Sequence, residues 1–187
     1  MKIYILRHEE RFESPTFYTS LTTLGHKNAD NLKHILSTLS ITHIFSSPFL
    51  RTIQTIIPYC KLNNLKTKIC VEYSLYETMY DKCFTKDNYQ VTLSKNDKEF
   101  EYTNTKYSSL INITDINCPE TPIDVKRRVL TFIDKLIACY KKTDKCILVV
   151  AHAAVFEPLI PKSYTIYPLG GITKIYDNGN VCEPINY

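Results

Sequence analysis

Side chains suited to handling a phosphoryl group occur at four separate points along the chain: Arg7 with His8, Arg51, Glu77 and His152. An imidazole nitrogen can attack phosphorus and form a phosphohistidine, which divides the reaction into two easier steps. Arginine forks bind phosphate oxygens and keep their charge at any working pH. A second histidine can donate a hydrogen bond to the transferring group, and a carboxylic acid can protonate the leaving oxygen. These residue types would suit phosphoryl transfer if the fold brought them together.

The hydrophobic pattern predicts strands and helices that alternate along the chain. Short apolar segments predict buried strands at 2–6, 42–47, 67–71, 146–151 and 172–176. Apolar residues at helical spacing predict helices over 21–39, over 48–57 and from Thr121 to Tyr140. This alternation indicates the α/β class with a mainly parallel sheet.

Local signals predict where two of the helices end or begin. Pro58 is expected to end or kink the second helix, because proline cannot donate the helical hydrogen bond. Thr121 can cap the third helix, with Pro122 in its first turn and Asp124 close to the position of a capping box. The Asp-Asn-Gly sequence at 177–179 is typical of a hairpin turn.

The candidate residues all fall where strands of the predicted sheet end, and ligands bind at that edge of such sheets. Arg7 and His8 follow the first strand, and Arg51 opens the helix after the second. Glu77 comes shortly after the third strand, and His152 directly follows the most apolar one. Singly, each has an ordinary explanation: a capped or surface histidine, an arginine lying along the surface, or a solvated glutamate. Their joint placement predicts a phosphate-handling site.

Length and charge limit the classes of protein to consider. At 187 residues the chain is expected to form one domain with a sizeable core. The net charge of +4 mildly favours anionic ligands but is too small to indicate nucleic-acid binding. The longest apolar run cannot span a bilayer, and no targeting segment is visible. We therefore expect a cytoplasmic protein without nucleic-acid or membrane partners.

Glycine, histidine and cysteine spacings argue against several cofactor sites. Four glycines cannot form a P-loop or a dinucleotide-binding fingerprint. His26 and His34 lack the spacing of a metal-binding pair and are expected on the surface of the first helix. The seven cysteines include no C-x-x-C pair, so we expect reduced and mostly buried thiols.

Residues 78–120 interrupt the regular pattern. The segment is rich in Lys, Asn, Asp and Tyr and has no sustained period. It is interpreted as an insertion over one end of the sheet that is ordered only in part. Lysines and tyrosines interleaved between 76 and 107 could contact nucleic acid, but a solvated insertion is the favoured interpretation.

Several segments resemble motifs of the histidine phosphatase superfamily, whose fold is phosphoglycerate mutase-like. ILRHEER resembles the strand followed by Arg-His-Gly, and LYE resembles the family's Leu-x-Glu. LTTLGHKNADNL resembles the family's first helix start, and IFSSPFLRTIQT its Ser-Ser-Pro-x-x-Arg-x-x-x-Thr segment. ETPIDVKRRV, VVAHAAV and PLGGIT are similar to a further helix start, the second histidine motif and the closing segment. The matches follow the family's order over most of the chain, with 78–120 as a variable region.

The resemblance implies a three-layer α/β/α sandwich formed as a single domain over 1–187. It implies His8 as the nucleophile, Arg7 and Arg51 as phosphate clamps, His152 as the second histidine of the phosphate pocket, and Glu77 rather than Glu72 as the proton donor. It also implies no metal and no organic cofactor.

One subgroup of the family carries Arg-His-Gly-Glu-Arg, and the sequence RHEER aligns with it without a gap. This alignment makes Arg11 a third candidate phosphate clamp and Glu10 the expected glutamate. Glu9 then stands in the glycine position, where it adds bulk and charge. A carboxylate facing the pocket would repel phosphate or pair with an arginine, whereas one pointing away would change little.

We therefore expect a phosphomonoester hydrolase that forms a phosphohistidine on His8 and acts on a phosphorylated small molecule or a phosphoprotein. A short chain has limited material to enclose and reorient a bisphosphate, which disfavours a mutase. The alternative is a catalytically weakened relative that binds a phosphorylated ligand or partner without turnover. Glu9 is the reason for keeping that alternative.

Overall fold

A six-stranded sheet organises the chain in a computed structural model that describes residues 1–13, 16–64, 66–79, 92–160 and 167–181. The strands are β1 (Lys2–Arg7), β2 (His43–Ser46), β3 (Ile69–Val71), β4 (Cys146–Ala151), β5 (Ile172–Asp177) and β6 (Asn180–Val181). The α-helices are α1 (Thr23–Ser37), α2 (Leu50–Leu62), α3 (Pro122–Tyr140) and the single-turn α4 (Ala153–Phe156). Short 3₁₀ helices lie at Tyr73–Leu75, Lys98–Tyr102, Ile113–Asp115 and Glu157–Leu159.

The strand order across the sheet is β3-β2-β4-β1-β5-β6. The first four strands in this order run parallel, whereas β5 pairs antiparallel with β1 and β6 antiparallel with β5. All six residues of β4 are buried, as expected for a central parallel strand covered on both faces. The predicted mainly parallel α/β sheet is confirmed.

Apolar side chains of β1 alternate between two hydrophobic clusters on opposite faces of the sheet. Ile3 and Ile5 join the cluster that α3 completes with Phe132 and its neighbours. Tyr4 and Leu6 join the cluster formed with α1 and α2. Since successive residues of a strand point to opposite faces, one apolar strand serves both layers. The three-layer α/β/α arrangement follows.

Most predicted element boundaries agree with the structure, but the effect of Pro58 differs. The prediction was that Pro58 ends or kinks the helix. Helix α2 continues through Pro58 to Leu62, so the first of these alternatives is wrong. Beyond the proline, Tyr59 and Cys60 are almost fully buried in the cluster beside the sheet. Their burial favours continuation of the helix despite the lost backbone hydrogen bond.

The predicted cap and hairpin turn are present. Thr121 caps α3 in a capping box with Asp124, and Pro122 is the first helical residue. Asn178 and Gly179 both have positive φ, at 47° and 105°, between the antiparallel strands β5 and β6. These are the backbone angles that a tight hairpin turn requires.

The described part of the predicted insertion, 92–120, lies along the β3 edge of the sheet as well as near its carboxyl end. Thr103 bridges Ile69, and the Asn104 backbone N–H donates to the Ile69 carbonyl at 2.8 Å. Farther along, Ile116 packs in a small cluster with Phe49 and other apolar side chains. The remaining part, 80–91, lies outside the described residues. In the described part of the chain, no helix is long and apolar enough to cross a membrane.

Candidate active site

Side chains from four separate segments meet beyond the carboxyl ends of the parallel strands. His8 follows β1, His152 follows β4, Arg51 lies in the first turn of α2, and Glu77 follows the 3₁₀ helix after β3. The rings of His8 and His152 are 5.2 Å apart between centroids. His8, His152 and Glu77 each have one side-chain nitrogen or oxygen within 4.8 Å of the corresponding atoms of the other two residues. The structure thus brings these predicted site residues together.

His8 is held in one orientation and one tautomer. Its Nδ1 lies 2.7 Å from the Glu9 carbonyl oxygen, and a carbonyl can only accept, so Nδ1 carries the proton. The lone pair is therefore on Nε2. Burial, together with the nearby His152 and Arg51, lowers the pKa of His8 well below its usual value. At neutral pH this ring is an uncharged imidazole with a nucleophilic nitrogen.

Arg51 is completely buried and links several parts of the site. One guanidinium nitrogen donates to Glu77 Oε2 at 3.2 Å and another to the Thr16 carbonyl at 3.1 Å. Its Cζ lies 4.5 Å from the centre of the Phe49 ring. Burial lowers the pKa of Arg51 to about 10, which still leaves it charged at neutral pH.

Arg7 and Arg11 differ in how they are held. Arg7 donates to the backbone carbonyl of Tyr167, and burial lowers its pKa. Arg11 donates to the carbonyls of Phe12 at 2.7 Å and Glu13 at 2.9 Å, within its own loop. The positive charge of Arg11 helps to lower the pKa of Arg7, so the two guanidinium groups repel each other. A direct phosphate contact by Arg11 stays a prediction.

His152 is fully buried between a hydroxyl and a carboxylate. Its Nε2 lies 2.8 Å from Ser47 Oγ, and its Nδ1 lies 3.1 Å from Glu77 Oε2 without being aligned for a hydrogen bond. Burial lowers the pKa of His152 to about 4 even though Glu77 opposes the shift. The ring is therefore neutral at pH 7. Sequence reasoning missed Ser47, although it lies in the Ser-Ser-Pro segment already singled out.

Glu77 is a carboxylate in the resting site. Burial alone would raise its pKa, but His152 and the Arg51 guanidinium outweigh burial and lower it. The Thr78 backbone N–H also donates to Glu77 Oε1 at 3.1 Å. An anion that competed for Arg51 would remove part of this stabilisation and bring a negative charge close to Glu77. Both effects would favour protonation of Glu77.

Glu72, the other carboxylate of this region, is occupied by structural hydrogen bonds. It is fully buried and accepts from the Tyr107 hydroxyl, from Ser109 Oγ at 2.7 Å and from the Leu110 backbone N–H at 3.0 Å. These contacts tie the segment after β3 to the 92–120 region. A carboxylate so fully engaged has little capacity for proton transfer, which agrees with assigning that role to Glu77.

Glu9 directs its carboxylate away from the side chains that are candidates for binding phosphate. Its Oε2 lies 3.4 Å from Asn28 Nδ2 on α1, and its other oxygen lies against Gly170. A Cβ on Gly170 would come within 2.0 Å of Glu9 Oε1, and Gly170 has a φ of +63°. The Glu9 backbone N–H donates to Thr55 Oγ1 at 3.0 Å. The side chain therefore fills a space between α1 and the Gly170 turn.

Glu10 fixes the same loop to the start of α1. Its carboxylate accepts from Thr22 Oγ1 at 2.8 Å, and its carbonyl accepts from the Thr22 backbone N–H at 3.0 Å. A Cβ on Gly25 would lie 2.0 Å from that carbonyl oxygen, so the close approach requires glycine. Glu10 thereby helps to hold the loop that carries His8.

A buried ion pair outside the site supports the segment that carries Glu77. Arg128 donates to both carboxylate oxygens of Glu120, at 2.7 and 2.8 Å, and to the Ser74 carbonyl at 2.7 Å. Glu120 in turn accepts from the Met79 backbone N–H at 3.1 Å. Helix α3 is thus bonded to the chain on both sides of Glu77. Sequence reasoning assigned neither residue a role, although both lie in the ETPIDVKRRV segment.

The electrostatics of the site favour an oxyanion over a metal cation. His8, Glu77 and His152 resemble a set of metal ligands. However, Glu77 is already bonded to the buried Arg51 guanidinium, and Arg7 and Arg11 add further positive charge. A phosphate dianion would neutralise that charge, whereas a divalent cation would add to it.

Comparison with protein families identifies the group to which the chain belongs. Residues 3–181 match the model of the histidine phosphatase superfamily (branch 1). The chain is a member of this superfamily. The predicted membership of this family is therefore confirmed over nearly the whole sequence. No match was found among curated proteins.

Solved structures similar to this histidine phosphatase domain include two phosphatases and a mutase. The ecdysone phosphate phosphatase from Bombix mori in complex with tungstate has a TM-score of 0.73 at 17% identity, covering 98% of this chain and 92% of its own. The phosphoglycerate mutase from Bacillus anthracis has a TM-score of 0.68 at 20% identity, and the match covers 98% of this chain and 92% of that protein. A mycobacterial glucosyl-3-phosphoglycerate phosphatase has a TM-score of 0.64 at 17% identity, and the match covers 94% of this chain and 89% of that protein. At these identities the likeness establishes the phosphoglycerate mutase-like fold.

Proposed function

We propose that this protein is a phosphomonoester hydrolase that forms a phosphohistidine on His8 and acts on a phosphorylated small molecule or a phosphoprotein. The observation that carries the proposal is the state of His8. Its ring is neutral, its Nδ1 proton is bonded to a carbonyl, and its nucleophilic Nε2 lies beside a second histidine, a carboxylate and buried arginine charge. This combination supports nucleophilic attack on a bound phosphate.

In the first step, Arg51 and Arg7 bind the phosphate oxygens of the substrate, and His8 Nε2 attacks phosphorus. A nitrogen–phosphorus bond forms as the bond from phosphorus to the ester oxygen breaks. Glu77, protonated when the phosphate competes for Arg51, gives its proton to that oxygen. His152 faces the transferring group as a hydrogen-bonding partner, held by Ser47 at 2.8 Å.

In the second step, water attacks the phosphohistidine after the alcohol has left. Glu77, now a carboxylate, takes a proton from the water as its oxygen bonds to phosphorus. The nitrogen–phosphorus bond breaks, inorganic phosphate is released, and His8 returns to its neutral form. The depressed pKa values of His8 and Glu77 suit these resting states.

Trapping of the covalent intermediate tests the proposal directly. The purified protein mixed with an aryl phosphate and quenched in alkali is expected to gain the mass of one phosphoryl group on the peptide containing His8. Alkaline conditions are needed because phosphohistidine is acid-labile. Hydrolysis of the aryl phosphate without any modified peptide would contradict the mechanism, and absence of both would favour a binding role without turnover.

The alternative of a non-catalytic phosphate-binding protein depends on Glu9 obstructing the site. Replacing Glu9 with glutamine removes the charge and keeps the shape. We expect the affinity for inorganic phosphate to change by less than about threefold, because the carboxylate is bonded to Asn28 rather than to an arginine. Isothermal titration of phosphate measures this change. A much tighter affinity in Glu9→Gln would mean that the native carboxylate cancels part of the phosphate clamp.

The same variant should report the pH dependence that burial gives to Glu9. Burial raises the pKa of this carboxyl above its usual value. The folded protein therefore holds the Glu9 proton more tightly than the unfolded chain does. The stability that this gives is fully present below the unfolded-state pKa of Glu9 and is lost as the pH rises through its folded-state pKa. We expect Glu9→Gln to have a higher Tm than the native protein at pH 7 and nearly the same Tm at about pH 4. Equal Tm values across this range would contradict the burial argument.

A further inference from the structure

A cleft beside the candidate active site is not used by the chemistry described above. Its volume is about 320 Å³, which is within the range of small-molecule sites. The side chains that line it and bear on its chemistry are Thr78, Val125, Lys126, Ala154, Glu157 and Ile160.

Two residues that line the cleft lie next to candidate site residues in the sequence. Thr78 directly follows Glu77, and Ala154 lies in the first turn of α4, whose N-cap is His152. In an in-line displacement the leaving oxygen is opposite the nucleophile, and the group that protonates it lies next to it. Glu77 therefore marks the leaving-group side, and the residue that follows Glu77 lines the cleft.

The walls of the cleft are largely apolar and carry no surplus of one charge. Val125 and Ile160 contribute aliphatic surface, with two prolines nearby. Among the described lining residues, Lys126 provides one positive charge and Glu157 one negative charge. A second phosphate or a carboxylate-rich leaving group would need several cations, so this composition favours an uncharged and apolar group.

Thr78 gives a second and independent indication of a ligand. Thr78 is only 3% exposed, and its hydroxyl has no hydrogen-bond partner among the described residues. Buried hydroxyls are nearly always bonded, so this hydroxyl has a hydrogen bond left to make with a group placed in the cleft.

We propose that this cleft binds the leaving group of the substrate and that the substrate is a phosphomonoester of a bulky, mainly apolar alcohol. The proposal rests on the phosphomonoesterase function proposed above. Aromatic and fused-ring alcohols belong to this class, whereas small polyanionic phosphates such as phosphoglycerates do not.

Binding of phosphonates of graded size tests the proposal without requiring turnover. Isothermal titration with methylphosphonate and with a biphenyl-bearing phosphonate gives the ratio of their Kd values. In the native protein we expect the biphenyl ligand to bind at least about tenfold more tightly, because it buries apolar surface in the cleft. A ratio near one in the native protein would overturn the proposal.

A matched pair of variants locates the effect in the cleft. Ala154→Leu fills the cleft and should bring the Kd ratio within about threefold, whereas Ala138→Leu adds the same volume at an exposed position of α3 and should keep the native ratio. A ratio unchanged in Ala154→Leu would overturn the proposed location. Failure of phosphohistidine trapping would affect only the proposed function, since the phosphonate ratio is read without catalysis.

Discussion

Replacing His8 with alanine is expected to reduce hydrolysis of an aryl phosphate by on the order of 10⁴-fold or more. The reason is that the substitution removes the nitrogen to which phosphorus is transferred in the proposed mechanism. In the native site that nitrogen is kept unprotonated because Nδ1 donates to the Glu9 carbonyl at 2.7 Å and because burial lowers the pKa of the ring. A steady-state assay with released phosphate as the readout measures the loss.

His34→Ala is the matched control for this experiment. His34 is exposed on α1 and takes no part in the site, so its removal should leave the rate at the native value. Phosphate affinity of His8→Ala should persist, since Arg51 and Arg7 remain in place. Native-like hydrolysis by His8→Ala would eliminate His8 as the nucleophile, whereas loss of both turnover and phosphate affinity would indicate a collapsed site.

Replacing Arg128 with glutamine is expected to destabilise the protein by about 3–5 kcal/mol. The substitution leaves the Glu120 carboxylate buried without its cation and removes the hydrogen bond to the Ser74 carbonyl. Both partners are almost inaccessible, with side chains 8% and 1% exposed. For a chain of this length, the loss corresponds to a fall in Tm of roughly 6–20 °C. Thermal unfolding followed by circular dichroism measures it.

Arg127→Gln provides the control at the adjacent position of the same helix. Arg127 is 69% exposed and pairs with Asp124 at 2.5 Å on the surface. Exposed pairs of this kind contribute little to stability, so the Tm should stay close to the native value. An equal fall in Tm for the two substitutions would show that the buried pair contributes no more to stability than the exposed pair. The ion pair would then not be what holds the segment that carries Glu77.

The architecture of the domain could be predicted from local patterns. Apolar strands alternating with amphipathic helices indicated a parallel α/β sheet, because each pattern reports which faces of an element are buried. The rule that ligands bind at the carboxyl ends of parallel strands then placed His8, Arg51, Glu77 and His152 at one edge. Their proximity in the structure agrees with that reasoning.

Pro58 and Glu72 show where local reasoning was insufficient. The proline predicted an end or a kink of the helix, but the helix does not end there, and the residues after the proline are buried against the sheet. Residue type alone cannot distinguish Glu72 from Glu77, which lie five positions apart. Hydrogen bonds from residues 107–110 occupy Glu72, and those residues are distant in sequence. The family motif selected Glu77, and tertiary contacts supply the physical reason.

The sequence by itself determined the elements of this protein and the residue types at the ends of its strands. The tertiary structure alone decided the direction of Glu9, the hydrogen bond between Ser47 and His152, and the ion pair of Glu120 with Arg128. The first two bring together groups from distant positions of the chain, such as Glu9 against Gly170, and the third joins helix α3 to the segment just before it. Local periodicity carries no information about such contacts, because they form only when separate elements pack.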